Sequence, residues 1–144
     1  MMNRKIFFTL ALVAIMLASI SFVSAEQNIT IDGVDFHIPD GFAEDPNHET
    51  VNEHHSQGSV NYVTNGKLFE KGNTIIAILV AEYEGFEVSD DVVANVGGDA
   101  KTINGVDGYL KQDTIYYVFS YEKDGKLVTI SSTDEDEIGD FLIA

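Results

Sequence analysis

The residues of this chain whose types could do chemistry are concentrated in one stretch, NHETVNEHH, which runs from Asn47 to His55. It holds three of the four histidines and two glutamates, all of them residue types that bind metals: His48, Glu49, Glu53, His54 and His55. The stretch half-resembles the zinc-protease signature H-E-x-x-H, in which two histidines one helical turn apart hold the metal and the glutamate is the general base.

The spacing of these histidines departs from that signature, because His48 is followed by histidines at i+6 and i+7. In a helix started by Asp45-Pro46, His48 and His55 would share a face but lie about 10 Å apart along the axis. In an extended chain His54 and His55 would point to opposite sides. We therefore expect a solvated polar loop over 45–58. A metal site remains the alternative, with the histidines, Glu49 and Glu53 converging in a bent loop.

The sequence contains no motif for other kinds of catalysis or for cofactor binding. DEDEIGD, from Asp134, resembles the start of a calcium loop, but its fifth position is Ile138 and the printed chain lacks a glutamate at the twelfth. There is no G-x-S-x-G and no phosphate-binding glycine loop, and zero cysteines exclude thiol catalysis. No cofactor is predicted.

A run of aromatic residues offers a binding surface instead of a catalytic one: Tyr109, Tyr116, Tyr117, Phe119 and Tyr121. Alternation along a strand predicts that most of them form core and cross-strand pairs. The functional alternative is an exposed aromatic face for a sugar or a protein, with Tyr109 and Tyr116 as its exposed members.

The first 25 residues have the pattern of a signal peptide. A basic MMNRK precedes the apolar run 6–23, and Val23-Ser24-Ala25 is a small-residue exit, so we predict cleavage after Ala25. An uncleaved membrane anchor is the alternative, since 18 apolar residues could just cross a bilayer. Asn28-Ile29-Thr30 is an N-x-T sequon, which makes Asn28 a candidate for glycosylation.

The charge balance restricts the partners. The chain has 24 acidic and 8 basic residues, a net charge of −16, and two of the basic residues fall in the predicted signal peptide. Such a field repels nucleic acid and anionic membrane surfaces, and it suits solubility or cationic partners. We expect no nucleic-acid binding and no membrane insertion once the signal is removed.

Residues 26–144 are predicted to form a single α+β domain. Asp32-Gly33, Asn65-Gly66, Gly72-Asn73 and Asp124-Gly125 predict hairpin turns, and the apolar run 75–81 predicts a central strand. The expected fold is an antiparallel meander of six to eight strands with two short helices on one face. Ser89 would cap the first helix and Thr133 the second, and 40–58 would be the longest irregular piece.

These segments carry a resemblance. IDGVDFHIPDGF and INGVDGYLKQ, followed by YYVFSYEKDGKLVTISSTDEDEIGDFLIA, resemble small secreted proteins of unknown function found in methanogenic archaea. The resemblance covers nearly all of residues 26–144 and implies no activity. A strand entering IPDGF, a meander and a closing helix are more distantly similar to domains of the photosystem oxygen-evolving subunit P and Mog1 type.

The sequence therefore favours a secreted, acidic, non-enzymatic module that binds at or near the cell surface, with Asn28 as a glycosylation candidate, and the resemblance implies an archaeal origin. Its partner could be a protein, a glycan or a cation. Two alternatives stay open: a metal-binding protein or hydrolase that uses loop 45–58, and an inhibitor or receptor for a cationic protein.

Overall fold

The computed structural model describes residues 26–144, so the predicted signal peptide and its cleavage point lie outside the described residues. The described residues form ten strands: β1 Gln27–Ile31, β2 Val34–Ile38, β3 Ala43–Glu44, β4 Thr50–Gln57, β5 Val60–Lys71, β6 Thr74–Tyr83, β7 Asp99–Ile103, β8 Val106–Asp113, β9 Tyr116–Lys123 and β10 Lys126–Ser132. Two short helices, α1 Asp90–Ala94 and α2 Ile138–Phe141, and two 3₁₀ turns, Pro46–His48 and Glu135–Glu137, complete the fold.

Eight of the strands form one antiparallel sheet in the order β3-β5-β6-β10-β9-β8-β7, with β4 also paired to β5. Strands β3 and β4 thus share one edge of the long strand β5, with β4 along its first half and β3 near its end. The hairpin β1–β2 is a separate two-stranded sheet.

The main core lies on one side of the eight-stranded sheet, here called the inner face. Alternate residues of the central strands point into it, and the β1–β2 hairpin and α2 cover it with apolar side chains. Burial of this surface is the main force that holds the three parts together. The fully buried aliphatic and aromatic residues include Phe36, Ile38, Phe69, Ile76, Ile78, Val80, Phe119, Ile130, Ile138 and Phe141.

The opposite side of the sheet, the outer face, is covered only in part. α1 packs against β8 and β9, where Val93 is buried outside the main core cluster. Over β5 and β6 the outer face stays open, and Leu79 on β6 is 38% exposed.

The predicted α+β class is wrong: the part of the chain that the structure describes is mainly antiparallel β-sheet, and no pair of helices in it packs on one face. α1 spans five residues and α2 four. The chain turns out of α1 at Gly97 and Gly98, which both have positive φ, and α2 follows directly from a 3₁₀ turn. The two helices also lie on opposite faces of the sheet, because α2 contacts β2 and β10 on the inner side.

The caps of these helices were predicted with mixed success. Ser89 does stand before α1 in an extended conformation, although its side chain makes no capping hydrogen bond. The prediction for Thr133 is wrong, because the carboxylate of Asp134 accepts the hydrogen bond from the backbone N–H of Asp136. The hydroxyl of Thr133 instead accepts one from the backbone N–H of Ile75.

Three of the four predicted hairpin turns are confirmed. Asp32-Gly33 and Asp124-Gly125 have positive φ at both positions, as a type I′ turn requires, and Gly72 opens the turn between β5 and β6. Asn65-Gly66 is not a turn but lies inside β5. A Cβ on Gly66 would come within 2.7 Å of the carbonyl oxygen of Ile78, so the glycine permits a close strand approach.

Candidate functional site

The predicted loop over 45–58 is wrong in its main part, because the histidine-rich segment forms the edge strand β4. This strand pairs antiparallel with β5, with His54 opposite Val63 and His55 opposite Tyr62. The register shifts between Thr50 and Glu53, where Asn52 has a φ of 46° and its backbone N–H donates to Asn65 Oδ1 at 2.8 Å. The bulge explains why the sequence lacks a clean strand alternation here.

The structure separates the five candidate metal ligands. Neighbouring His54 and His55 point to opposite faces of the sheet, as alternation in a strand requires. His48 belongs to the preceding 3₁₀ turn, where its Nδ1 donates to Asp45 Oδ2 at 2.7 Å. Glu49 lies 3.4 Å from the amino group of Lys67, and Glu53 lies 3.7 Å from the imidazole of His55. Within residues 26–144 no three histidine or acidic side chains converge as a metal site would need.

This separation leads to a prediction on metal binding. We expect calorimetric titration of the protein beginning at Glu26 with Zn²⁺ to detect no stoichiometric site, because ligand number and geometry must both be met. The His48→Ala/His54→Ala/His55→Ala variant should give the same titration curve. A one-to-one site in the original protein that the triple variant loses would refute the prediction.

Asp45 anchors the 3₁₀ turn that leads into β4. Its carboxylate accepts hydrogen bonds from the backbone N–H of Asn47, at 2.9 Å, and from His48. The hydrogen bond from the Asn47 backbone, and after it the one from His48, lowers the pKa of Asp45 from its usual value of 3.8. Protonation of this carboxylate would therefore weaken the turn.

A pH dependence follows from this lowered pKa. Since the folded chain favours the ionised carboxylate, its contribution is present above pH 3.8 and is lost as the pH falls through the lower pKa of the folded state. NMR titration should show the Asn47 amide and the His48 ring changing together below that pH. In Asp45→Asn this acid transition should vanish. A joint transition centred above pH 3.8, or one kept in the variant, would refute the assignment.

The most distinctive feature of the outer face is a row of four rings, here called the aromatic ladder: His55, Tyr62, Tyr83 and Phe86. Strand pairing sets His55 opposite Tyr62 and Tyr62 opposite Tyr83. The ring centroids are 4.8 Å apart from His55 to Tyr62, and 5.1 Å apart from Tyr62 to Tyr83 and from Tyr83 to Phe86. The imidazole of His55 is also held by a hydrogen bond, since its Nε2 lies 2.9 Å from the hydroxyl oxygen of Thr64.

The spacing and tilt of the four rings show how their faces are oriented relative to one another. Neighbouring strands lie about 4.8 Å apart, so rings repeating near that distance stand upright and stack on one another. The interplanar angle is 19° at the His55 end and 31° to 32° along the rest. The ring faces are therefore largely used within the ladder. Phe86 at its end is 42% exposed.

The phenol of Tyr83, inside the ladder, is neutral over the ordinary pH range. Burial raises the pKa of Tyr83 above its usual value of 10, and the neighbouring Tyr62 adds to this effect. Tyr83 thus adds no charge to the ladder at ordinary pH.

Beside the Phe86 end of the ladder lies a concavity of about 360 Å³, here called the acidic notch. It is formed where the segment after β6 meets the β9–β10 turn. Its side chains are two ladder rings, three carboxylates and one amine: Tyr83, Phe86, Glu82, Glu87, Asp124 and Lys126. The side chain of Glu87 packs over the turn, within 3.3 Å of where a Cβ on Gly125 would lie.

The aromatic stripe predicted from the sequence is mostly core. Phe119 and Tyr121 are buried on the inner face, and Tyr117 packs against the same cluster. Burial raises the pKa of Tyr121 well above its usual value. Tyr116 is 36% exposed, and Tyr109 is half-buried, lining a separate hollow beneath α1. The stripe therefore supplies no continuous exposed face.

The ladder was missed by sequence reasoning, although the signal was present. A two-residue turn fixes the register of its flanking strands. The Gly72-Asn73 turn therefore places Tyr62 opposite Tyr83 once Asn65-Gly66 is taken as part of the strand and not as a turn. The turn at Gly58-Ser59, hidden by the loop assignment, would likewise have set His55 opposite Tyr62.

The glycosylation candidate lies on the β1–β2 hairpin. Asn28 is exposed, and its Oδ1 lies 3.0 Å from Nδ1 of His37 on the paired strand. The Thr30 hydroxyl donates to Asp35 at 2.6 Å. Modification of Asn28 stays a prediction.

We compared the chain with protein-family models, with curated proteins and with solved structures. No match is found in any of the three. Among residues 26–144, no helix has the length and apolar character needed to cross a bilayer.

Proposed function

We propose that this protein is a non-enzymatic binding module that works outside the cytoplasm, at or near the cell surface. The observation that carries this proposal is the aromatic ladder on the open part of the outer face. Aromatic rings combine a large apolar surface with polar edges, and they are enriched where proteins bind partners.

Two sequence features support the location. The apolar run 6–23 with its small-residue exit is the pattern of an export signal. The net charge of −16 favours solubility. The sequence also resembles secreted proteins of methanogenic archaea and, more distantly, domains of the photosystem oxygen-evolving subunit P and Mog1 type. Both resemblances remain predictions from the sequence.

The metal-binding or hydrolytic alternative has less support than the binding module. Its five candidate residues are divided between the two faces of β4 and the preceding turn. His55 is the one histidine of the three that belongs to the ladder, where it stacks on Tyr62. A role as a ring in a binding surface fits this position.

Retention on the envelope fraction of the source cells tests the proposal. The protein beginning at Glu26 contains the whole described core, which runs from Ile31 to Leu142. We expect saturable binding that Tyr62→Leu/Tyr83→Leu weakens by about tenfold, since each ring contact is worth about 0.5–1.5 kcal/mol. Tyr116→Leu makes the same chemical change away from the ladder and should bind normally.

Thermal unfolding of each variant separates lost binding from lost folding. The proposal fails if the folded protein shows no saturable binding. It also fails if the folded double variant binds as well as the original protein, because the ladder would then have no part in recognition.

A further inference from the structure

The acidic notch has more negative charge than its own amine can neutralise. Lys126 is only 19% exposed and donates to the Asp32 backbone oxygen at 2.5 Å, with Asp32 Oδ1 at 3.4 Å. Its distance to Glu82 is 3.8 Å. The amine is thus directed mainly to the β1–β2 turn, while Glu82, Glu87 and Asp124 are exposed.

Phe86 places an exposed aromatic ring beside these carboxylates. Its side chain is 42% exposed, and together with Tyr83 it lines the same concavity. A cation near the face of an aromatic ring is attracted by the ring quadrupole, and carboxylates around it add charge attraction and hydrogen-bond acceptors. An apolar ring among carboxylates is a poor site for an anion or for an uncharged aliphatic group.

We propose that the acidic notch binds an arginine side chain in a basic segment of a protein partner. The planar guanidinium can lie against the Phe86 ring while its N–H groups donate to the carboxylates of Glu87 and Asp124. This inference rests on the proposed function, because it names the partner of the same surface. The notch of about 360 Å³ is large enough for one such side chain.

The orientation of the ladder favours a basic protein segment over a glycan. A sugar-binding platform needs ring faces directed to solvent, whereas Tyr62 and Tyr83 each have a neighbouring ring on both sides, with centroids 4.8 to 5.1 Å away. One charged notch lies at the Phe86 end of the ladder. The chain's net charge of −16 would also speed the approach of a basic partner.

Calorimetric titration with a short peptide tests the inference directly. The probe is acetyl-Gly-Arg-Gly-Arg-Gly-amide, and its control is the same peptide with citrulline in place of arginine, which keeps the shape and removes the charge. The protein is the chain beginning at Glu26. We expect the arginine peptide to bind, binding to weaken with added salt, and the citrulline peptide to bind at least tenfold more weakly.

Variants locate the peptide on the surface. Phe86→Leu should weaken binding about two- to fivefold through loss of the cation–π contact. Glu87→Gln/Asp124→Asn should weaken it about tenfold, and asparagine tolerates the positive φ of position 124. Glu70→Gln/Asp113→Asn removes the same charge from exposed positions at the opposite end of the sheet, and it should leave affinity within twofold.

The inference is overturned if the citrulline peptide binds equally, or if both double variants lose the same affinity. It is also overturned if a neutral hexasaccharide displaces the arginine peptide, which would assign the surface to glycans. If the peptide experiments fail but retention on the envelope fraction still depends on Tyr62 and Tyr83, only this inference is wrong and the proposed function stands. Loss of that dependence would remove the proposed function.

Discussion

Phe141→Ala is expected to lower the free energy of unfolding by about 3–5 kcal/mol, the range for removal of a buried phenylalanine. Phe141 is fully buried on α2, which covers the inner face of the sheet. Its ring meets Phe42 edge to face at a centroid distance of 4.9 Å and lies 6.1 Å from Phe69. A four-residue helix has little stability of its own, so α2 depends on this anchor.

Urea unfolding followed by fluorescence or circular dichroism measures this loss. Ile115→Ala is the control, since Ile115 lies in the β8–β9 turn and is 63% exposed, and its effect should stay within about 0.5 kcal/mol. A loss below about 1 kcal/mol for Phe141→Ala would mean that α2 contributes little to the core.

Gly108→Ala is expected to destabilise the protein by about 2–3 kcal/mol, near the top of the usual range for overpacking. Gly108 lies within β8, and a Cβ there would be 2.5 Å from the Ser120 carbonyl oxygen and 2.7 Å from the ring of Phe119. Phe119 is fully buried and Ser120 belongs to the paired strand β9, so neither can withdraw easily. The glycine is required by space and not by an unusual backbone angle.

Gly58→Asn provides the comparison for this variant. Gly58 occupies the β4–β5 turn with a φ of 63°, and a Cβ there meets nothing within 4 Å. Asparagine tolerates this conformation, so the midpoint of urea unfolding should change little. If Gly108→Ala lowered the stability as little as Gly58→Asn does, β8 and β9 would not approach each other as closely as described.

Local turn chemistry could be read from the sequence where one conformation dominates. Asp32-Gly33 and Asp124-Gly125 were predicted correctly because the two flanking strands alternate cleanly. Asn65-Gly66 has the same local signal but a different role. Its glycine allows β6 to approach, and its asparagine accepts a hydrogen bond from the β4 bulge. Both contacts come from other strands, so no local pattern announces them.

The prediction of a loop for the histidine-rich segment was wrong for a related reason. β4 is an edge strand with polar residues on both sides, and its bulge at Asn52 breaks the period of two. Such a strand resembles a loop in sequence, because pairing with β5 and not burial holds it in place. The expectation that His54 and His55 would point to opposite sides in an extended chain is confirmed, because both lie in β4.

The predicted α+β class was wrong because the residues that start a helix do not determine how long the helix is. Asp90 and Asp91 do begin a helix, but it ends within five residues and the chain passes through Gly97-Gly98 into β7. The apolar residues Ile138, Phe141 and Leu142 of the closing segment are buried. Their partners on the β1–β2 hairpin are more than a hundred positions away in sequence, and this contact lies beyond any local pattern.

The central claim is that the aromatic ladder and its acidic notch form the binding surface. Chemical-shift mapping by NMR, with the acetyl-Gly-Arg-Gly-Arg-Gly-amide peptide added to ¹⁵N-labelled protein, tests it most directly. We predict that the largest amide shifts fall within 83–87 and at Asp124 and Gly125, with smaller ones at Tyr62 and His55. Largest shifts at the far end of the sheet, around Thr114 and Ile115, or shifts spread evenly over the acidic surface, would contradict it.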